Sequence, residues 1–282
     1  MNEATQTTKA KSNANKTKRS LSIVLIVVGV ALITFASYRL ISGHLEYLSA
    51  RNEYDELRDI FSVVTIQDIP RMPAMSPEQG EADAEPHEPM RVWLTMPQGT
   101  EDLVDPMEAL LEINPDFVAW IRIGDVIDYP IVQGRDNNRY LHTTFQGSRN
   151  SSGAIFLDYR NSSDLNDEVS IIYGHNMRDG SMFKPLHQLR YEEFLSEHQY
   201  ITVITSDWRM FIYRIFAVRT VDTWQVENNP EQLTIAEIAR SVRGTPEDAE
   251  HIIILSTCTT SANRAERLRV YATRIDYVPG QR

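Results

Sequence analysis

The chain has 282 residues, of which 42% are hydrophobic and 24% are charged. This composition is typical of a globular protein and excludes a wholly disordered or fibrous one. The single cysteine excludes an intramolecular disulfide framework and a cysteine-rich metal site. The net charge of −11 argues against a general nucleic-acid-binding protein, because such proteins need a basic surface to displace counterions from phosphate.

The N-terminus has the features of a membrane anchor. The first 20 residues carry five basic side chains and one acidic side chain, and residues 20–38 then contain no charge and are rich in Leu, Ile and Val. At ~1.5 Å per residue this apolar run spans ~29 Å, about one bilayer core. We therefore expect a basic cytoplasmic tail over residues 1–19 and a transmembrane helix over residues 20–41, with the rest of the chain outside the cell. The alternative is a cleaved signal peptide, although the apolar run is longer than usual for one.

Residues 42–99 divide into two segments of different character. Residues 43–63 have apolar side chains at roughly helical spacing, which predicts an extracellular stalk helix that is mainly solvated, with a partner-binding or membrane-surface helix as the alternative. Residues 64–98 contain five prolines between Pro70 and Pro89, among acidic side chains. That composition predicts an extended linker.

A folded domain is predicted over residues 100–282. It begins with a helix to about residue 113, with Asp105 as the N-cap and Pro106 at the first position. Short segments rich in β-forming residues follow, separated by turn signals, with helical patterns only at residues 191–198 and 230–242. Many short strands with few helices predict a mainly β domain, either a closed barrel or a sandwich. The predicted strands are residues 117–123, 126–131, 154–157, 169–173, 200–204, 210–221, 251–257 and 268–275.

Cys258 follows one of these predicted strands and is a candidate nucleophile. Four consecutive aliphatic residues, 252–255, indicate a strand buried on both faces, so a cysteine at its end is held rigidly while its sulfur can reach solvent. An unpaired thiol outside the cell is open to oxidation, which favours a functional reason for it. The alternative is a cysteine that acts as a small buried apolar side chain.

A thiol nucleophile needs a proton-transferring neighbour and a group that stabilises negative charge. Of the seven histidines, His175 is singled out because it follows another apolar strand, residues 169–173, and therefore occupies the same place relative to its strand as Cys258. If the last predicted strand begins at Arg267, then Arg267 and Arg269 lie on the same face of it. Alternation alone does not decide which of them points toward the thiol.

Over residues 101–277 the sequence resembles the class B sortases. LSTC at 255–258 and RLRVYA at 267–272 are similar to the cysteine and arginine motifs of sortases, and YGHNMRDGSMF at 173–183 is similar to the class B histidine motif. DYPIVQ at 128–133 and GAIFLDYRN at 153–161 resemble that class as well. Two positions depart from the pattern, because Ile254 replaces a threonine and Arg269 replaces an aliphatic residue.

The resemblance implies an eight-stranded β-barrel with peripheral helices, a Cys–His–Arg site and no cofactor or metal. Cys258 would be the nucleophile and His175 the proton donor to the leaving amine. Arg267 fits the arginine position, because it lies five residues before the alanine of the R-x-x-V-x-A pattern. The positions that line the substrate groove in class B relatives are matched by Asn137, Tyr173 and Ser256.

The implied activity is that of a membrane-anchored cysteine transpeptidase. Such an enzyme cleaves a C-terminal sorting signal, of the LPxTG or NPxTN type, in secreted surface proteins and transfers the acyl group to an amine of a cell-wall precursor. The alternatives are a sortase that joins pilin subunits through a lysine, a tethered cysteine peptidase, and an anchored scaffold protein with an inert cysteine. No nucleic-acid partner is expected.

Overall fold

A computed structural model describes residues 3–67, 93–95, 104–222, 233–259 and 266–278. Most of the predicted linker, the beginning of the helix predicted from residue 230 and most of the polar segment after Cys258 lie outside these residues. The chain divides into two compact units, residues 1–49 and residues 50–282.

One long helix, α1 (Glu3–Phe61), begins in the first unit and ends in the second. Its stretch Ile26–Phe61 is long enough and contains a sufficiently apolar segment to cross a membrane, and no residue of that apolar segment is buried. This agrees with the predicted anchor, whereas its sidedness stays a prediction. The structure continues α1 without a break through the segment predicted as a separate stalk helix.

The second unit contains a closed β-barrel preceded by a two-stranded ladder, with short helices around it. The ladder pairs β1 (Thr65–Gln67) with β2 (Trp93–Thr95). The helices are α2 (Pro106–Ile113), α3 (Glu192–Glu197) and α4 (Ile235–Ser241), together with 3₁₀ turns at Arg139–Leu141 and Lys184–Arg190. Among the described residues, the barrel strands are β3 (Phe117–Ile123), β4 (Ile127–Val132), β5 (Ile155–Leu157), β6 (Val169–Tyr173), β7 (Tyr200–Thr205), β8 (Met210–Asp222), β9 (Ile252–Cys258) and β10 (Glu266–Val278).

Around the barrel the strand order is β10-β8-β7-β3-β4-β5-β6-β9, and β9 closes the circle by pairing with β10. The pairs β4–β5 and β6–β9 are parallel and the others are antiparallel. This confirms the predicted mainly β domain and, of the two architectures that the strand pattern allowed, selects the closed barrel. The eight predicted strands are all present, with ends that differ by at most three residues.

The end of α1, residues 50–61, packs against the barrel, so the prediction of a mainly solvated stalk helix is wrong for this part. Tyr54, Leu57 and Phe61 are buried, and the Tyr54 hydroxyl donates a hydrogen bond to the Gly153 carbonyl oxygen (2.6 Å). The Phe61 ring stacks on Trp120 with 4.2 Å between centroids. The sequence pattern gave the helical spacing correctly, but it did not show what the apolar face of the helix contacts.

Helix α4 covers part of the outer face formed by β6, β9 and β10. Ile238 of α4 packs in one buried cluster with Ile252 and Ile254 of β9 and with Tyr271 of β10. Because side chains alternate along a strand, the residues that continue this face of β9 beyond Ile254 are Ser256 and Cys258. The outer face of the barrel therefore changes from an apolar packed region into a polar one toward the end of β9.

Candidate active site

Cys258 is the last residue of β9 and the only exposed residue of that strand. The six residues before it are buried between β6 and β10, which fixes the backbone up to the cysteine. The cysteine itself is a free, exposed thiol. A rigid backbone with an accessible sulfur is the arrangement that a nucleophilic cysteine needs.

The strand register places arginine side chains beside the cysteine. Arg267 lies directly opposite Cys258 in the β9–β10 pair, and Arg269 lies opposite Ser256. Directly opposite residues project from the same face of a sheet with their Cβ atoms roughly 5 Å apart. Arg267 is half-buried, whereas only 1% of Arg269 is exposed. Of the two arginines that the sequence pattern left open, Arg267 is therefore the accessible neighbour of the thiol.

His175 is held at the same end of the barrel as Cys258 through its two neighbours in the chain. The Gly174 amide donates to the Ser256 carbonyl oxygen (3.2 Å). The Asn176 side-chain amide donates to the Cys258 carbonyl oxygen (3.0 Å). Because residues 174 and 176 both contact the last three residues of β9, the histidine between them lies next to the end of the strand that carries Cys258.

The His175 ring is oriented by the loop that contains the 3₁₀ turn Arg139–Leu141. Its Nε2 lies 2.7 Å from the Leu141 carbonyl oxygen, and because a carbonyl only accepts, Nε2 carries a proton. In the neutral ring the other nitrogen, Nδ1, then carries the lone pair. The half-buried ring also stacks against His142, with 6.3 Å between centroids.

Two glycines allow this orientation by close packing. A Cβ on Gly174 would lie 2.6 Å from the fully buried Phe183 ring, so only glycine leaves that ring in place beside His175. Gly153 has φ +56°, and a Cβ there would collide with the Tyr140 and Leu141 carbonyl oxygens. The Leu141 carbonyl is the acceptor for His175, so Gly153 maintains the position of that acceptor.

A second histidine, to which the sequence pattern assigns no role, contacts the backbone of Cys258. The Nε2–H of His187 donates to the Cys258 carbonyl oxygen (3.1 Å), so this oxygen accepts hydrogen bonds from both Asn176 and His187. Burial lowers the pKa of His187 below its usual 6.5. No sequence signal identifies this contact, because it depends on the 3₁₀ turn Lys184–Arg190 folding back toward the end of β9.

The three predicted groove residues are connected, directly or through one carboxylate. Tyr173 of β6 is directly opposite Ser256 of β9. Asn137 lies in a different loop, but its side-chain amide and the Tyr173 hydroxyl both donate to the Asp158 carboxylate. The structure therefore brings Tyr173 and Ser256 together by strand pairing and links Asn137 to them through Asp158, which sequence analysis did not single out.

The site consists of a thiol, an imidazole and a guanidinium at one end of the barrel. These groups support nucleophilic acyl transfer, in which the thiolate attacks a carbonyl, the imidazole moves the proton and the cation stabilises the developing negative charge. Within the described residues, no three His, Cys, Asp or Glu side chains come together in an arrangement suited to a metal ion.

Comparisons with known proteins agree with this geometry. Residues 121–275 match the Sortase domain family. The chain is 36% identical over 168 residues to sortase B of Listeria monocytogenes, an alignment that covers 55% of this chain and 68% of the relative.

Solved structures of class B sortases have the same fold. Sortase B from Bacillus anthracis in complex with AAEK1 is 25% identical with a TM-score of 0.60, and the match covers 83% of this chain and 99% of the other. A Streptococcus pyogenes class B sortase involved in pilus biogenesis is 30% identical with a TM-score of 0.54, over 60% of this chain and 97% of the other. The barrel, the cysteine at the end of β9 and these matches identify the chain as a member of the sortase family of cysteine transpeptidases, in its class B.

Proposed function

We propose that this sortase is anchored in the cell membrane by α1 and acts outside the cell on surface proteins that carry a C-terminal sorting signal of the LPxTG or NPxTN type. Five basic residues precede the apolar segment of α1, which favours a cytoplasmic N-terminus. The acceptor of the acyl group is the amine of a cell-wall precursor.

In the proposed mechanism the thiolate of Cys258 attacks the carbonyl carbon of the threonine in the sorting signal. Arg267 stabilises the negative charge that forms on the carbonyl oxygen. The intermediate then breaks its carbon–nitrogen bond, His175 gives a proton to the departing amine, and a thioester remains on Cys258. The acceptor amine attacks this thioester and loses its proton to His175, which releases the new amide and restores the thiolate.

The observation that carries this proposal is the exposed Cys258 at the end of a fully buried strand, with Arg267 directly opposite it. The half-buried His175 beside the same strand end supplies the proton transfer. Asn137, Tyr173 and Ser256 are the proposed groove residues that hold the sorting signal.

A second acceptor is a lysine of a pilin subunit. The observation that favours it is the match to the Streptococcus pyogenes class B sortase involved in pilus biogenesis. The same cysteine, histidine and arginine serve both acceptors, because an amine attacks the thioester in either case.

The test is to incubate the full-length protein in detergent with LPxTG, NPxTN and PPxTG peptides, with and without triglycine, and to identify the products by mass spectrometry. We expect a peptide joined to triglycine at the threonine. Cys258→Ala and His175→Ala should each reduce turnover by at least about a thousandfold. His198→Ala is the matched control, because His198 contacts Phe194 and Asp125 instead of the site.

If only the free acid forms, even at high triglycine concentration, the protein is a tethered peptidase and the proposed transferase activity is wrong. Full turnover by the Cys258→Ala variant would contradict the nucleophile assignment.

A further inference from the structure

Asp158 is a completely buried carboxylate close to the proposed groove. It follows β5 directly, and none of its side chain is exposed. A buried charge is unfavourable unless hydrogen bonds and an opposite charge compensate it. The arrangement around Asp158 therefore has to satisfy both carboxylate oxygens.

Arg160 supplies the opposite charge in a two-point contact. Its Nε donates to Oδ1 and its Nη2 donates to Oδ2 of Asp158, both at 2.8 Å. Burial alone would raise the pKa of Asp158, but the hydrogen bonds from Arg160 and Asn137 outweigh burial and keep that pKa below its usual value. Asp158 is therefore ionised at neutral pH and only accepts hydrogen bonds.

Two of the proposed groove residues donate to one oxygen of this carboxylate. The Asn137 side-chain amide lies 2.8 Å from Asp158 Oδ2, and the Tyr173 hydroxyl lies 3.0 Å from the same atom. Because Asp158 cannot donate, Asn137 has to direct its side-chain nitrogen toward it and Tyr173 has to donate its O–H in a hydrogen bond to it.

This fixes which hydrogen-bonding groups remain for a substrate. The Asn137 oxygen accepts from the Tyr159 amide (3.1 Å), so one N–H of the Asn137 amide is left to donate. The Tyr173 O–H is used in the hydrogen bond to Asp158, so the Tyr173 oxygen is left to accept. Both side chains are half-buried, which leaves them within reach of a bound peptide.

We propose that Asp158 is a positioning residue that fixes the hydrogen-bonding polarity of the groove, with Asn137 as a donor and Tyr173 as an acceptor for the polar groups of the sorting signal. This inference rests on the proposed function, in that Asn137 and Tyr173 line the groove. A donor and an acceptor held at fixed positions match a peptide amide, which offers one carbonyl oxygen and one N–H.

The test compares Asp158→Asn with Asp167→Asn in the full-length protein in detergent. Asparagine can both donate and accept, so Asp158→Asn removes the fixed polarity with little change in shape. Asp167 is the control, because its carboxylate likewise accepts hydrogen bonds from an asparagine side chain and a backbone amide, those of Asn161 and Ser162, and touches neither groove residue.

Affinity for a fluorescent sorting-signal peptide is measured by anisotropy in a Cys258→Ala background, and kcat and KM are measured with Cys258 present. We expect Asp158→Asn to weaken binding and raise KM about tenfold, with kcat within about threefold of the wild-type value, since about one charge-assisted hydrogen bond is lost. Asp167→Asn should change neither affinity nor KM. Unchanged affinity in Asp158→Asn, or a loss confined to kcat, would overturn the inference.

If Asp158→Asn does not fold, a double-mutant cycle of Asn137→Ala and Tyr173→Phe decides. Shared dependence on Asp158 predicts that their effects on peptide affinity differ from additivity by at least about threefold. Additive effects would overturn the inference. Both affinity measurements are independent of the chemical step. A failure to form the triglycine product would therefore contradict the proposed transfer, whereas the role of Asp158 is tested by the peptide affinity alone.

Discussion

The carbonyl oxygen of Cys258 illustrates how single residues hold the proposed nucleophile in place. It lies where the regular strand ends, and it accepts hydrogen bonds from the side chains of Asn176 and His187. These donors come from the segment after β6, which also carries His175. They therefore fix the backbone of the cysteine relative to the histidine.

We expect His187→Ala to lower kcat/KM about fivefold, since one hydrogen bond contributes roughly 1 kcal/mol. His187→Gln should restore most of this, because glutamine keeps an N–H donor. The measurement is steady-state transpeptidation by both variants at pH 7.5. Equal losses in the two variants would mean that the hydrogen bond to Cys258 does not position the nucleophile.

The stability of the protein should also depend on the ionisation of His187. Because burial lowers the pKa of His187 in the folded protein, the unfolded chain binds the proton more readily. The free energy of unfolding should therefore decrease as the pH falls below about 6.5. Chemical denaturation at pH 7.5 and pH 5.5 measures this, and His187→Gln should show a smaller decrease than the wild type. The same decrease in both proteins would contradict the role assigned to His187.

The sequence indicated the candidate reactive residues but not the residues that support them. Cys258 and His175 were candidates because each follows an apolar strand and the motifs around them resemble those of sortases. Asp158 and His187 were not identified, because their contacts join segments that are far apart in the sequence. No local pattern shows that Asp158 accepts from Asn137, which is 21 residues away.

At the scale of elements, the end of α1, residues 50–61, belongs to the catalytic unit. Phe61 is fully buried against Trp120, and the Arg122 guanidinium lies over the Phe61 ring, 4.9 Å from its centroid. The amphipathic pattern predicted the helix but not its packing partner. This is because spacing reveals an apolar face and does not reveal what covers it.

Phe61→Ala should destabilise the catalytic unit by about 3–5 kcal/mol, the usual cost of removing a buried phenylalanine ring. Leu45→Ala on the same helix is the control and should change stability by less than about 0.5 kcal/mol, since Leu45 is exposed. Denaturant unfolding of the full-length variants in detergent, followed by tryptophan fluorescence, measures both. Equal stability of the two variants would mean that the end of α1, residues 50–61, is not part of the folded catalytic unit.

At the scale of the whole molecule, the barrel explains why residues from distant segments meet. The parallel pairing of β6 with β9 brings the ends of two core strands to the same edge, so the residues after Tyr173 meet the end of β9. The strand pattern predicted the number and the approximate bounds of the strands. The strand pattern did not decide between a barrel and a sandwich, because the order of strands depends on long-range pairing that the alternation of side chains does not encode.

The central claim is that Cys258 forms a thioester with the sorting signal before an amine completes the transfer. The most direct measurement is the intact mass of the full-length protein after a brief incubation with a sorting-signal peptide in the absence of amine. We predict an added mass equal to the peptide up to and including its threonine, located on Cys258, and its removal by hydroxylamine. Turnover of the peptide without such an adduct, or an adduct that persists in Cys258→Ala, would contradict the account.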